Sequence, residues 1–302
     1  PPRGLCAGVE RALRTVEEAL ARFGAPIFVR HEIVHNRHVV RRLQAMGAVF
    51  IEDLDLVPAG RPVIFSAHGA PQAAFAEAGR KHLTTIDATC PLVVKVHHEV
   101  RRHVSLGRHV FLVGHKGHPE VVGTTGQAPA GSVTLVENIE GAETVTPPPG
   151  PLAYVTQTTL SVDDTAAIVA LLQRRFPAIV GPRKSDICYA TTNRQDAVKK
   201  IAPGSAVVLV VGSPASSNSN RLVDAALRAG AADARLIDDP DTLDLSILDG
   251  KEIVGVTSGA SAPEELVERL LTRLAGRFAV RIETMDAVRE DVVFKQPLML
   301  AS

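Results

Sequence analysis

Tryptophan is absent from this 302-residue chain, and aromatic residues make up only 4% of it. A site that stacks bases or sugars on aromatic faces is therefore not expected. Neither charge is in excess, with 33 Lys and Arg against 33 Asp and Glu. That balance argues against a basic nucleic-acid binder and against an acidic tail protein. No apolar run approaches the roughly 18 residues of a membrane span. Three cysteines are too few, and odd in number, for a disulfide scaffold. The opening PPRGLCAGVERAL has no charged-then-apolar leader pattern and no Met. A few preceding residues and a cytoplasmic location are thus expected. There is no Walker A loop, no G-x-G-x-x-G after an apolar run and no G-x-S-x-G elbow, so NAD, ATP and serine-hydrolase chemistry have no support.

Short apolar runs recur at Pro26–Val29, Ala48–Ile51, Val63–Phe65, His109–Val113, Leu152–Val155, Ala206–Val211 and Glu252–Val256. Amphipathic stretches separate them. In the first, Val9, Ala12, Leu13, Val16, Leu20 and Phe23 follow the spacing of one helix face. Short buried strands alternating with helices predict βαβ units and parallel sheets. Cys6, Cys90 and Cys188 lie 84 and 98 residues apart, and each precedes a helix-like segment: Ala7–Arg22, Leu92–Val104 and Thr191–Ile201. A degenerate threefold repeat of a small α/β unit follows, ending in a tail over Ala279–Ser302 with two strand-like runs.

Ligands in open α/β sheets bind beyond the carboxyl ends of the strands. Five such ends carry small polar residues: Ser66–Gly69, Gly114–Glu120, Thr156–Thr159, Gly212–Asn220 and Thr257–Pro263. One such loop is an ordinary helix cap. Five together predict a donor-rich site, and hydroxyls with helix N-termini favour a phosphate or diphosphate. All eleven histidines lie between His31 and His118. His31-Glu32-Ile33-Val34-His35 matches H-E-x-x-H, but that zinc motif works only on a helix, and here it follows a strand run. A single pre-helix cysteine is usually a small buried hydrophobe. Three at equivalent places suggest converging thiolates, which a helix N-terminus favours. They could hold zinc, although paired C-x₂₋₄-C spacing is missing, or an iron–sulfur cluster, which can draw thiolates from distant segments. Glu120, after Pro119, reads either as an acid or as a first-turn residue complementing the helix dipole. Arg101 and Arg102 read as a solvated helix face, and His115 as solvated.

The chain resembles the LytB family of 4-hydroxy-3-methylbut-2-enyl diphosphate reductases. The resemblance is carried by RGLCAGVERA (3–12), VRHEIVHN (29–36), FSAHG (65–69), DATCPLV (87–93), GHKGHPE (114–120), TQTTLSVDDT (156–165), DICYATTNRQ (186–195), GSPASSNSNRL (212–222) and TSGASAPE (257–264). Pro1 stands where the family commonly has Asn, and Leu5 where it has Phe. The resemblance implies three small α/β units with parallel sheets in a pseudo-threefold trefoil around a central [4Fe–4S] cluster. The units would span 1–90, lacking the family's N-terminal strand, 91–185 and 186–275, with the tail 276–302 returning to the first. It also implies that Cys6, Cys90 and Cys188 hold the cluster, one of whose irons stays open as a Lewis acid. Substrate groups would come from His35, His68, His118, Thr158, Ser216, Ser217, Asn218 and Ser261, and Glu120 would be the proton donor. The implied reaction is reductive dehydroxylation of (E)-4-hydroxy-3-methylbut-2-enyl diphosphate to isopentenyl and dimethylallyl diphosphate, the last step of the non-mevalonate isoprenoid pathway. Flavodoxin or ferredoxin would be the electron donor.

Overall fold

The structure, a computed structural model, describes residues 2–285 and 288–297. Helix α1 (Ala7–Phe23) leads into β1 (Ile27–Arg30), α2 (Arg37–Ala45), β2 (Ala48–Ile51), β3 (Pro62–Phe65), α3 (Gln72–Arg80) and β4 (Thr84–Asp87). Helix α4 (Pro91–Ser105) opens a second series: β5 (His109–Val113), α5 (Pro119–Thr125), β6 (Val133–Val136), α6 (Ile139–Thr144), β7 (Leu152–Thr156) and α7 (Val162–Arg175). Helix α8 (Tyr189–Ile201) opens a third: β8 (Val207–Val211), α9 (Ser217–Arg228), β9 (Ala234–Ile237), β10 (Val254–Ser258) and α10 (Glu264–Arg277).

Among the described residues the strands form three wholly parallel sheets, ordered β2-β1-β3-β4, β6-β5-β7 and β10-β8-β9. The plan repeats: the first strand of each series is internal, the second lies on one side of it and the third on the other. The first sheet adds β4 beyond β3. In the second, a single parallel bridge from Ala153 to Val180 occupies the corresponding place beyond β7.

Strand periodicity explains the layering. In β8, Val207, Leu209 and Val211 pack with Leu266, Val267, Leu270 and Leu274 of α10. The alternate residues Val208 and Val210 pack with Val198 of α8 and Leu222, Ala225 and Ala226 of α9. Both faces are covered, so β8 is apolar throughout rather than alternating. Each such side chain contributes about 1.5–3 kcal/mol by leaving water.

By its internal contacts the chain divides into two compact bodies. One comprises Pro1–Val9, His35–Val39 and Tyr189–Val293 and contains the third sheet. The other comprises Glu10–Val34, Val40–Cys188 and Phe294–Ser302 and contains the first two. The described part of the tail differs from expectation: no residue of it between 279 and 297 is in a strand. Its contacts are instead made by single groups. Glu290 meets Arg194, the Lys295 carbonyl accepts from Arg11, and Gln296 meets Thr15. Residues 286–287 and 298–302 of that expectation lie outside the described residues.

Candidate active site

A parallel sheet whose order turns at its first strand leaves a crevice between the loops of the two strands that flank the turn. Those pairs here are β1 with β3, β5 with β7, and β8 with β10. The loops leaving the first pair carry His35 and His68. Those leaving the second carry His118, Glu120 and Thr158. Those leaving the third carry Ser216 and Ser261, with Ser217 and Asn218 in the first turn of α9. Every non-cysteine candidate thus stands at a strand-order turn.

Glu120 is 3% exposed and lies in the first turn of α5. Its carboxyl does not serve its own helix, whose cap is His118 Nδ1 accepting the Glu120 N–H at 3.1 Å. It reaches the loop after β7 instead. Oε1 accepts the Thr158 N–H at 2.6 Å, and Oε2 lies 3.0 Å from Thr158 Oγ1. The carboxyl thus has specific partners outside its own helix besides its first-turn position. Burial pushes the Glu120 carboxyl up to about 7, against the pull of the two Thr158 hydrogen bonds and with a smaller push from Asp186. Desolvation is thus the main cause of the shift, and it needs no bound ligand. The His118 ring meets His68 edge-on, with centroids 5.8 Å apart.

The three cysteines are free of disulfides and half-buried. Each N–H is anchored in the same way. Cys90 donates to Ala67 O, Cys188 to Thr158 O and Cys6 to Ala260 O, all at 3.0 Å. Each acceptor stands two residues beyond the end of a strand: β3, β7 and β10 in turn. Each cysteine also immediately precedes a helix, α4, α8 and α1. Burial pushes the Cys6 thiol up, while the N–H groups of Val9 and Gly8 and the charge of Arg194 pull it back. Among the described residues no three His, Cys, Asp or Glu side chains are already gathered as a metal-binding group. The three thiols enter from separate segments. Individually they suit an iron–sulfur cluster: each lies outside any disulfide and is carried on backbone anchored at a strand end, and at Cys6 the N–H groups of Val9 and Gly8 face the sulfur.

The third pair of loops has the features of an anion site. Ser216 caps α9, accepting the Ser219 N–H at 3.3 Å, and Ser261 Oγ donates to His35 O at 3.1 Å. Asn218 is 3% exposed, and neither its Oδ1 nor its Nδ2 has a hydrogen-bond partner. An unpaired buried amide costs about 1–3 kcal/mol per group, which a polar ligand would recover. The loops close tightly here: a Cβ on Gly212 or Gly259 would fall 2.2 or 2.1 Å from Ser219 Oγ. Only glycine lets α9 start so near the ends of β8 and β10.

Several contributors were not foreseen. Gln157 Oε1 accepts the His115 N–H at 3.0 Å, and Ser258 Oγ accepts the Gly4 N–H at 3.0 Å. Asp186 is tied to Lys95 and to the Thr156 N–H. A polar residue within a strand-end or pre-helix motif was the sequence signal for these. His115 is half-buried with Nε2 closed off from solvent, not solvated. Arg101 also leaves the solvated face, pairing with Gln127 and His98, whereas Arg102 stays exposed beside Glu99. His31, at φ 60°, begins a loop, so H-E-x-x-H has no helix on which to act. No helix among the described residues is long and apolar enough to cross a membrane.

The family model described as LytB protein matches residues 1–275. A 4-hydroxy-3-methylbut-2-enyl diphosphate reductase of Hyphomonas neptunium is 58% identical over 301 residues, covering 99% of this chain and 96% of the relative. Its counterpart in Gluconobacter oxydans is 57% identical over 305 residues, covering 99% and 91%. Among solved structures, the E-1-hydroxy-2-methyl-but-2-enyl-4-diphosphate reductase from Plasmodium falciparum matches with a TM-score of 0.96 at 42% identity, over 99% of this chain and 94% of that one. A structure of (E)-4-hydroxy-3-methyl-but-2-enyl diphosphate reductase, the terminal enzyme of the non-mevalonate pathway, matches with a TM-score of 0.64 at 31% identity, over 91% and 96%.

Proposed function

The chain belongs to the LytB protein family, and we propose that it reduces (E)-4-hydroxy-3-methylbut-2-enyl diphosphate to isopentenyl and dimethylallyl diphosphate, with Glu120 as proton donor. It is an oxidoreductase. The balance is an allylic alcohol plus two electrons and two protons giving a hydrocarbon terminus plus water. A [4Fe–4S] cluster held by Cys6, Cys90 and Cys188 would supply the electrons singly and an open, Lewis-acidic iron. A one-electron carrier of the flavodoxin or ferredoxin kind would refill it.

The chain's own residues do the rest. Burial raises the Glu120 carboxyl to about 7, so a large share of it keeps its proton near neutrality and can protonate the hydroxyl as it leaves; hydroxide is a poor leaving group and water a good one. Thr158 holds the acid through both carboxyl oxygens and fixes its direction. His118, His68 and His35 present imidazoles from the strand-end loops to the organic part of the substrate. The hydroxyls of Ser216, Ser217 and Ser261 and the unpaired Asn218 amide take the diphosphate, at the N-terminus of α9.

One observation carries the reading. Thr158 donates to Glu120 through its N–H and accepts the Cys188 N–H through its carbonyl. A single residue thus ties the acid to a cysteine loop. The test is anaerobic purification, iron and sulfide analysis, and incubation with the diphosphate substrate with and without a chemical reductant. Iron and sulfide in equal amounts, with both products formed only when reductant is present, is the expected result. Turnover without reductant would mean simple dehydration instead.

A further inference from the structure

Three cations outside the acid and anion loops share one arrangement, which appears when each is measured from its cysteine. Arg11 stands five residues after Cys6, on α1. It donates to Thr89 O at 3.0 Å and Asp87 O at 3.4 Å, just ahead of Cys90. Lys95 stands five residues after Cys90, on α4. It donates to Lys184 O at 2.8 Å, Ser185 O at 2.9 Å and Asp186 Oδ1 at 3.0 Å, just ahead of Cys188. Arg194 stands six residues after Cys188, on α8. It donates to Gly4 O at 2.8 Å, just ahead of Cys6.

We propose that Arg11, Lys95 and Arg194 are positioning residues that form a closed cycle, each fixing the backbone that presents the next cysteine to the cluster. This rests on the reading that the three cysteines hold that group. The physical basis is reach and strength. One and a half helical turns past the cysteine, a long cationic side chain can span to a neighbouring loop. Its bonds to carbonyls are charge-assisted and directional. Lys95 uses all three of its donors, two on backbone carbonyls and one on the Asp186 carboxylate.

Arg194 is the most committed of the three. It is fully buried, and its charge is answered by Glu290 from the tail, both of whose oxygens lie 3.1 Å from Nη1. Asn193 adds a bond to the same carboxylate at 3.1 Å. The tail thus neutralises the cation that fixes the Cys6 loop. A buried cation without its carboxylate is strongly unfavourable, so Glu290 belongs to the same device. Arg11 has a tail contact too, donating from Nε to Lys295 O at 2.7 Å. Positive charge beside these loops also suits anionic thiolates. Burial pulls the Arg11 guanidinium below its usual range, and Asp87 and the Cys90 sulfur offset this only in part.

The test is hydrogen exchange on the full-length chain in the variants Arg11→Met, Lys95→Met and Glu290→Gln, with Arg194→Lys as the milder change at the buried site. Exchange should rise roughly 10- to 100-fold at the amide of the next cysteine: Cys90 for Arg11→Met, Cys188 for Lys95→Met, and Cys6 for the other two. The cysteine on the substituted helix should keep its protection. In the anaerobically loaded protein, iron should pass to a chelator several-fold faster in each variant, and Arg11→Lys and Lys95→Arg should recover part of the loss. Exchange that rises at the residue's own helix, uniformly or nowhere overturns the cycle. A loosened loop with unchanged iron loss overturns its role toward the cluster. The separate reading that the cysteines bind iron is tested by their Ser variants, so the two failures are distinguishable.

Discussion

Replacing Glu120 with Gln separates the acid's chemistry from its contribution to the fold. The side chain is 3% exposed, and its carboxyl is raised from 4.5 to about 7, chiefly by burial. A group whose pKa is higher in the folded state contributes its stability in full below the unfolded value, and loses it as pH rises through the folded one. The window for Glu120 therefore runs from 4.5 to about 7, and the loss across it is about 3 kcal/mol. Glutamine keeps both contacts, because its oxygen can accept the Thr158 N–H while its amide nitrogen donates to Thr158 Oγ1. It does not titrate. Thermal unfolding of the two proteins should nearly coincide at pH 4.5. At pH 8 the Gln variant should be the more stable, by up to about 3 kcal/mol. Turnover moves the other way: kcat should fall by about 10²–10⁴, the worth of a positioned acid, with iron content unchanged. In the unaltered enzyme kcat/KM should decline above pH about 7 as Glu120 ionises. The same stability difference at both pH values, or near-normal turnover by the Gln variant, would refute a buried, protonated Glu120 as the donor.

Thr158→Val removes the hydroxyl bond that holds the Glu120 carboxyl down, so the alkaline limb of the kcat/KM profile should move to higher pH; a limb that stays put would show that the hydroxyl has no influence. Asn218→Ala removes a buried amide that has no partner: the ligand-free protein should be as stable as before or more so, while inorganic diphosphate binds about 10- to 100-fold more weakly, both read from thermal shifts with and without the anion. Gly259→Ala should destabilise by about 1–3 kcal/mol, and Ser219→Ala should rescue it, because the intruding atom at 2.1 Å is Ser219 Oγ. At Gly212 the Ser219 Cβ is also close, at 2.7 Å, so the same second change should rescue Gly212→Ala poorly. Cys6→Ser, Cys90→Ser or Cys188→Ser should each abolish the visible absorbance and iron content of the anaerobic protein, and any variant that keeps both removes its cysteine from the ligand set.

What the sequence made legible depended on whether a feature carried its own side-chain signature. The internal strands β1, β3, β5 and β8 are apolar runs and were readable as such. The strands β4, β6 and β9 were not, because each sits at a sheet edge with one fully buried residue among four. Thr84-Thr85-Ile86-Asp87 shows no pattern that distinguishes it from a loop. At the other end of the range, Thr257 and Ser258 extend β10 past the apolar run and shift its boundaries from Glu252–Val256 to Val254–Ser258. The strand-end placement of the candidate hydroxyls, imidazoles and glycines was legible because position after a strand is a chain-order property. The cause of the Glu120 shift was not legible, since burial belongs to the packed state. The cation cycle was invisible for a related reason: Arg11 and Arg194 recognise backbone carbonyls, which are the same in every residue.

The Cys6 amide rests on Ala260 O, and the Gly4 amide on Ser258 Oγ. On the ribosome the cysteine segment is made near the start of this chain, and its docking strand β10 near the end. At roughly 5–20 residues per second, the 254 residues between Gly4 and Ser258 correspond to a delay of roughly ten to fifty seconds. Through that interval the Cys6 segment has no seat, whereas Ala67 precedes Cys90 and Thr158 precedes Cys188 in the chain, so the seats of those two cysteines are made before them. A nascent chain stalled before β10 would therefore expose the Cys6 thiol without its seat, open to oxidants and to scavenging metals.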